Sequence, residues 1–110
     1  MPNLKKMPFP YWDMKSIIDF CQRRIIINSI AYYELDNPLW EDKKFDKEAK
    51  QLEKLMNKYE DDAKQSMYWY CMYDFTAATG FDLYHRLNKH DKEYLMNITM
   101  QIINSKGRKK

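Results

Sequence analysis

The chain has 110 residues, 45% hydrophobic and 32% charged, enough to bury about two-thirds of its surface as one domain. Two glycines and four prolines are too few to punctuate a sandwich or barrel or to build a Gly-rich phosphate loop, so a helical domain is expected. The formal net charge of +3 comes from the ends: without Lys5 and Lys6 at the head and Lys106, Arg108, Lys109 and Lys110 at the tail, the body is slightly acidic.

Residues 1–12 carry Pro2, Pro8 and Pro10 and read as an extended lead-in whose Phe9, Tyr11 and Trp12 can pack on the body. A first helix is predicted from Asp13, an N-cap residue type, to near Leu35. Its apolar positions Met14, Ile17, Ile18, Cys21, Ile25, Ile26, Ile27 and Ile30 span a face broad enough for burial on more than one side. Asn37-Pro38 breaks the pattern. A second helix starts near Trp40-Glu41-Asp42, where acidic residues suit the positive end of the dipole. Phe45, Ala49, Leu52, Met56, Tyr59 and Ala63 alternate in steps of four and three, with Lys and Glu between them as a solvated face. The fold class is therefore all-α: an antiparallel hairpin over 14–35 and 41–63 with two or three further helices packed on it.

The aromatic run from Met67 to Tyr73 is predicted to be helical, because no other window offers a strand partner, and Thr79-Gly80 ends it. A short helix with Leu83, Tyr84 and Leu87 follows from Phe81. A final helix opens at Asn88 or Asp91 and carries Tyr94, Leu95, Ile98, Ile102 and Ile103. The domain thus covers 13–105, with residues 106–110 as a basic tail.

Cys21 and Cys71 stand in apolar stretches without CxxC spacing or a nearby His, which predicts two buried thiols in a reduced, cytoplasmic protein. No run approaches the about 18 apolar residues of a membrane span, and the head lacks a signal-peptide core. His85 and His90 are spaced off any common helical face, so no zinc pair is predicted. HExxH, GxSxG and P-loop patterns are missing, as is a nucleophile with a neighbouring base, so no catalytic residue is assigned.

One window is more specific. Tyr32-Tyr33, Asp36, Pro38, Asp42 and Phe45-Asp46 follow the spacing Tyr-Tyr or Tyr-His, two residues, Asp, one residue, Pro, three residues, Asp, two residues, Tyr-Asp. This resembles the signature of the N-terminal Ia subdomain of NAD-dependent DNA ligases, with the likeness running over residues 16–60. The resemblance implies a helical hairpin whose end grips the nicotinamide mononucleotide half of NAD, with Tyr32, Tyr33, Asp42, Phe45 and Asp46 as ligand-binding candidates. Aromatic faces stack on a pyridinium ring and carboxylates accept from ribose hydroxyls, so these residue types suit that ligand. Phe45 replaces the family's Tyr and Glu48 its usual Leu. The Lys-x-Asp-Gly adenylation motif does not occur, so the chain reads as non-enzymatic.

The aromatic content also exceeds what a small core needs. Tyr68, Trp69, Tyr70, Tyr73, Phe81 and Tyr84, with Met67 and Met72, form a candidate interaction patch of residue types enriched at protein interfaces. The favoured expectation is a non-catalytic interaction protein built on a ligase-like hairpin. Its small size and composition look like those of phage or prophage accessory proteins that bind and inhibit a host or defence protein, as anti-CRISPR proteins do. A nicotinamide nucleotide (NMN or NAD) binding module is the alternative, and an accessory protein that contacts nucleic acid through its basic tails is a third.

Overall fold

The computed structural model describes residues 13–77 and 82–107. Helix α1 spans Met14–Ser29 and is capped as its sequence predicts: the Asp13 carboxylate accepts from the Ser16 amide at 2.9 Å. The helix then widens into a π-helical turn, Ile30–Glu34, in which the Leu35 amide donates to the Ile30 carbonyl at 3.1 Å. Asp36 adopts left-handed backbone with φ 49°, which a short polar side chain tolerates, and the Asn37 amide returns to the Ala31 carbonyl at 2.8 Å. These bonds reverse the chain just before Pro38.

Helix α2, Asp42–Lys58, runs back along α1. Contacts at Arg24 with Glu48, Gln22 with Met56 and Asp19 with Met67 show residue numbers rising on one arm as they fall on the other, the mark of an antiparallel pair. Ala49, Leu52 and Met56 are the buried stripe of α2, as their spacing predicts. Two features of the hairpin depart from expectation. The first is the π turn before Leu35. The second is a break at Tyr59 (φ −118°, ψ 61°), after which Glu60–Lys64 form a separate helix, α3. Glu60, Asp61 and Asp62 explain this break: three carboxylates favour a helix start, and would oppose the negative end of a helix running on through them.

The predicted helix over the aromatic run shrinks to the single turn α4, Trp69–Met72. Side chains of α1 provide the reason. The Asp19 carboxylate accepts from the Met67 amide at 2.7 Å and the Gln22 side-chain oxygen from the Tyr68 amide at 3.4 Å, replacing the carbonyls that a continuing helix would offer. Helix α5 is Leu83–Arg86, and α6, Lys89–Gly107, is capped by the Asn88 side chain, which accepts from the Asp91 amide at 2.7 Å. Arg86 reaches Asp74 on one side and Asp82 at 3.1 Å on the other, and its guanidinium holds the Asp74 carboxyl below the usual carboxylate range.

Helix α1 is the central element and meets α2, α3, α5 and α6, so its isoleucines are buried on several sides as the breadth of the apolar face predicts. Ile18, Ile25, Ile26 and Ile30 join Leu52, Met72, Leu83 and Leu95 in one core. Burying each such side chain contributes about 1.5–3 kcal/mol. Tyr94, predicted to share the apolar stripe of α6, is instead exposed. Both cysteines are free thiols, Cys71 buried and Cys21 half-buried. No helix among the described residues is long and apolar enough to cross a membrane, and no strand occurs among them. The predicted lead-in with Phe9, Tyr11 and Trp12, the stop at Thr79-Gly80 and the basic residues 108–110 lie outside the described residues.

Candidate functional site

Two surfaces come from the sequence candidates. At the hairpin end, the π turn leaves Ile30 and Ala31 inside and turns Tyr32 and Tyr33 outward, 39% and 49% exposed, with their rings edge to face at 4.7 Å. Asp42 is exposed in the first turn of α2. Phe45 is half-buried and lies edge to face with Trp40 at 6.3 Å, so it follows the apolar register of its helix. Asp46 pairs with Lys50 at 2.9 Å. The five candidates therefore have separate neighbours: the tyrosines each other, Phe45 the Trp40 indole, and Asp46 a lysine one turn on.

The hairpin end is fastened from α1. The Arg24 guanidinium lies over the Trp40 ring at 4.8 Å and the Phe20 ring at 5.5 Å while reaching Glu48 at 3.3 Å. Sequence spacing gave no sign of a further contact: Glu34 meets His85 of α5 at 3.2 Å, which brings α5 against the Tyr32-Tyr33-Glu34 turn. His85 also lies edge to face with Tyr84 at 5.4 Å.

The second surface surrounds α4. Tyr68 and Met72, both named in the predicted patch, are core residues at 1% and 0% exposure and are removed from it. The tight turn held by Asp19 and Gln22 drives Tyr68 inward. Trp69 and Tyr84 are half-buried against the core, and Phe81 lies outside the described residues. Tyr70, Tyr73 and Met67 remain outside, at 43%, 60% and 52% exposure. Tyr73 lies edge to face with Trp69 at 6.5 Å.

Tyr70 is exposed on its ring and fixed at its hydroxyl, which donates to the Asp91 carboxylate at 2.5 Å and accepts from the Asn88 amide at 3.2 Å. Partial burial and the bond to Asp91 push its pKa well above the usual tyrosine value, so the hydroxyl stays neutral and donating. One turn beyond Asp91, exposed Tyr94 stacks parallel on His90 at 6.3 Å. The four-residue spacing of His90 and Tyr94 is the sequence signal that they share a surface.

Among the described residues no group of three or more His, Cys, Asp or Glu side chains is placed to hold a metal ion. Burial outweighs the opposing pull of Arg24 on Cys21 and of Arg86 on Cys71, and pushes the thiols up to about 11 and about 12. No protein-family model matches the chain, and no curated protein or solved structure matches it significantly.

Proposed function

We propose that the chain is a non-catalytic interaction protein that docks a protein partner on the surface around α4. The observation that carries this reading is Tyr70, whose ring is open to solvent while its hydroxyl is held by Asp91 and Asn88. An aromatic ring fixed before binding loses little rotamer freedom when a partner covers it, and this favours affinity. Tyr73 and Met67 stand exposed in the same short stretch, and both Tyr and Met are enriched at interface centres. The partner expected from the small, phage-type character of the chain is a host or defence protein whose activity it blocks.

Photo-crosslinking tests this reading. A benzoylphenylalanine at position 73 should give one adduct in host lysate, competed by excess unmodified chain and lost when Tyr70 is also changed to Ala. Labelling that is spread over many proteins and insensitive to Tyr70 would overturn it.

A second reading follows from the exposed, mutually packed pair Tyr32 and Tyr33 at the hairpin end, which the likeness to the ligase subdomain assigns to nicotinamide mononucleotide. Under that reading, millimolar nicotinamide mononucleotide shifts the NMR resonances of Tyr32 and Tyr33. Unmoved resonances at that concentration would remove the hairpin end as a nucleotide site.

A further inference from the structure

We infer that the outer face of α2 is a docking surface for the phosphate backbone of duplex nucleic acid, independent of base sequence. Lys43, Lys47, Lys50, Lys54 and Lys58 are all exposed. Their spacing of four, three, four and four puts them on one line along the helix, opposite the buried Ala49, Leu52 and Met56. At about 1.5 Å per residue this line is about 22 Å long.

What sets this face apart from an ordinary solvated stripe is where its carboxylates have gone. Inside α2, Glu53 is spaced three residues from Lys50, while Glu48 is spaced four from Lys44, outside the line. Glu48 is instead drawn to Arg24 of α1, and Glu53 accepts from the Ala77 amide at 2.8 Å. Only Lys50, paired with Asp46, has an ion-pair partner among the described residues. The break at Tyr59 acts in the same direction. In an unbroken helix Asp61 would fall in line with Lys47, Lys54 and Lys58; it lies in the first turn of α3 instead, and the line ends at Lys58.

The chemistry of the face selects the occupant. Lysine is depleted at protein interfaces, whereas lysine contacts to phosphate release counterions and supply binding that ignores sequence. No arginine stands in the line to read a base edge by its planar fork, and no aromatic ring to stack an unpaired base, which points to the duplex backbone. This surface is separate from the one around α4 and stands or falls without it. It also differs from contact through the basic tails, since it lies wholly within α2.

Fluorescence anisotropy of the full chain with a labelled 20-base-pair duplex tests the inference. Five phosphate contacts predict that the logarithm of the binding constant falls against the logarithm of salt with a slope of about −4 to −5, alike for unrelated sequences. Lys47→Glu with Lys54→Glu, at positions without an ion-pair partner among the described residues, should weaken binding at low salt by about 30-fold or more with the helical circular dichroism unchanged. Deleting residues 108–110 should change it by less than about threefold. No binding at low salt would overturn the inference, as would a Lys47/Lys54 double variant that binds like the parent. Equal affinity for polyglutamate would overturn it in favour of an acidic protein surface, and equal affinity for a single strand would overturn the duplex.

Discussion

The side-chain amide of Gln22, fully buried in the middle of α1, donates to the Ser66 hydroxyl at 2.9 Å, and its oxygen accepts from the Tyr68 amide. Ser66 in turn donates to the Ala63 carbonyl. One amide thus fixes the turn between α3 and α4, and with it the direction in which the aromatic run leaves the core. Gln22→Leu keeps a side chain of similar size and removes these two bonds together with the contact to the Met56 sulfur, leaving the Ser66 hydroxyl and the Tyr68 amide without that partner inside the protein. Equilibrium urea unfolding should show a loss of about 1–3 kcal/mol. A loss below about 0.5 kcal/mol would mean that the node does not hold the turn.

Asp36 is the one described non-glycine residue with positive φ, and it sits where the chain reverses between the two arms of the hairpin. Asp36→Gly should leave stability unchanged or slightly raised, since glycine enters left-handed backbone without a Cβ clash. Asp36→Val should lower stability by about 1–2 kcal/mol, as the left-handed region is costly for a branched residue. Thermal unfolding of the pair separates the two cases, and equal midpoints would show that the reversal does not depend on this backbone angle.

The hairpin was legible because its determinants are local. Asp13 as a cap, the four-three register from Ala49 to Met56 and the stop before Pro38 are each set by residues within a turn or two. The π turn was not legible, because its widening depends on how Ile30 and Ala31 fit the core. The fate of the run 67–73 was hidden for a related reason: the groups that stop it from being one helix are Asp19 and Gln22, distant in sequence. The same limit governs the candidate site. Of the aromatic patch that residue types propose, Tyr70 and Tyr73 are exposed, while Tyr68 and Met72, of similar type, are sent inward by contacts that spacing does not encode.

The two thiols set a pH dependence. Burial raises both above their ordinary value of 9.0, Cys21 to about 11 and Cys71 to about 12. In the unfolded chain the thiols ionise near 9, whereas in the folded chain they remain neutral. The stability they contribute is therefore complete below about pH 9 and is lost as pH rises from there towards about 12. Denaturation midpoints measured between pH 8 and 10.5 should fall more steeply for the parent than for Cys71→Ala, in which one of these groups is gone. Parallel profiles would contradict the assignment. Native protein at pH 8 should also react with a thiol reagent far more slowly than unfolded protein.

Tyr70 allows stability and binding to be separated. Tyr70→Phe removes the hydroxyl that meets Asp91 and the Asn88 amide but leaves the exposed ring in its place. Its cost should be about 1 kcal/mol or more, the range of a hydrogen bond to a charged acceptor discounted for partial exposure. Tyr73 makes no such bond among the described residues and is 60% exposed, so Tyr73→Ala should change stability by less than about 0.5 kcal/mol. Binding is expected to rank the other way. Tyr70→Phe keeps most of the contact area but loosens the ring, and Tyr73→Ala removes area outright, so the alanine variant should weaken the partner by about 1 kcal/mol or more as a central interface aromatic. The measurement is denaturant unfolding beside titration of the crosslinked partner for both variants. A Tyr73→Ala chain that binds like the parent would take α4 out of the interface, because no fold defect would be available to explain the result.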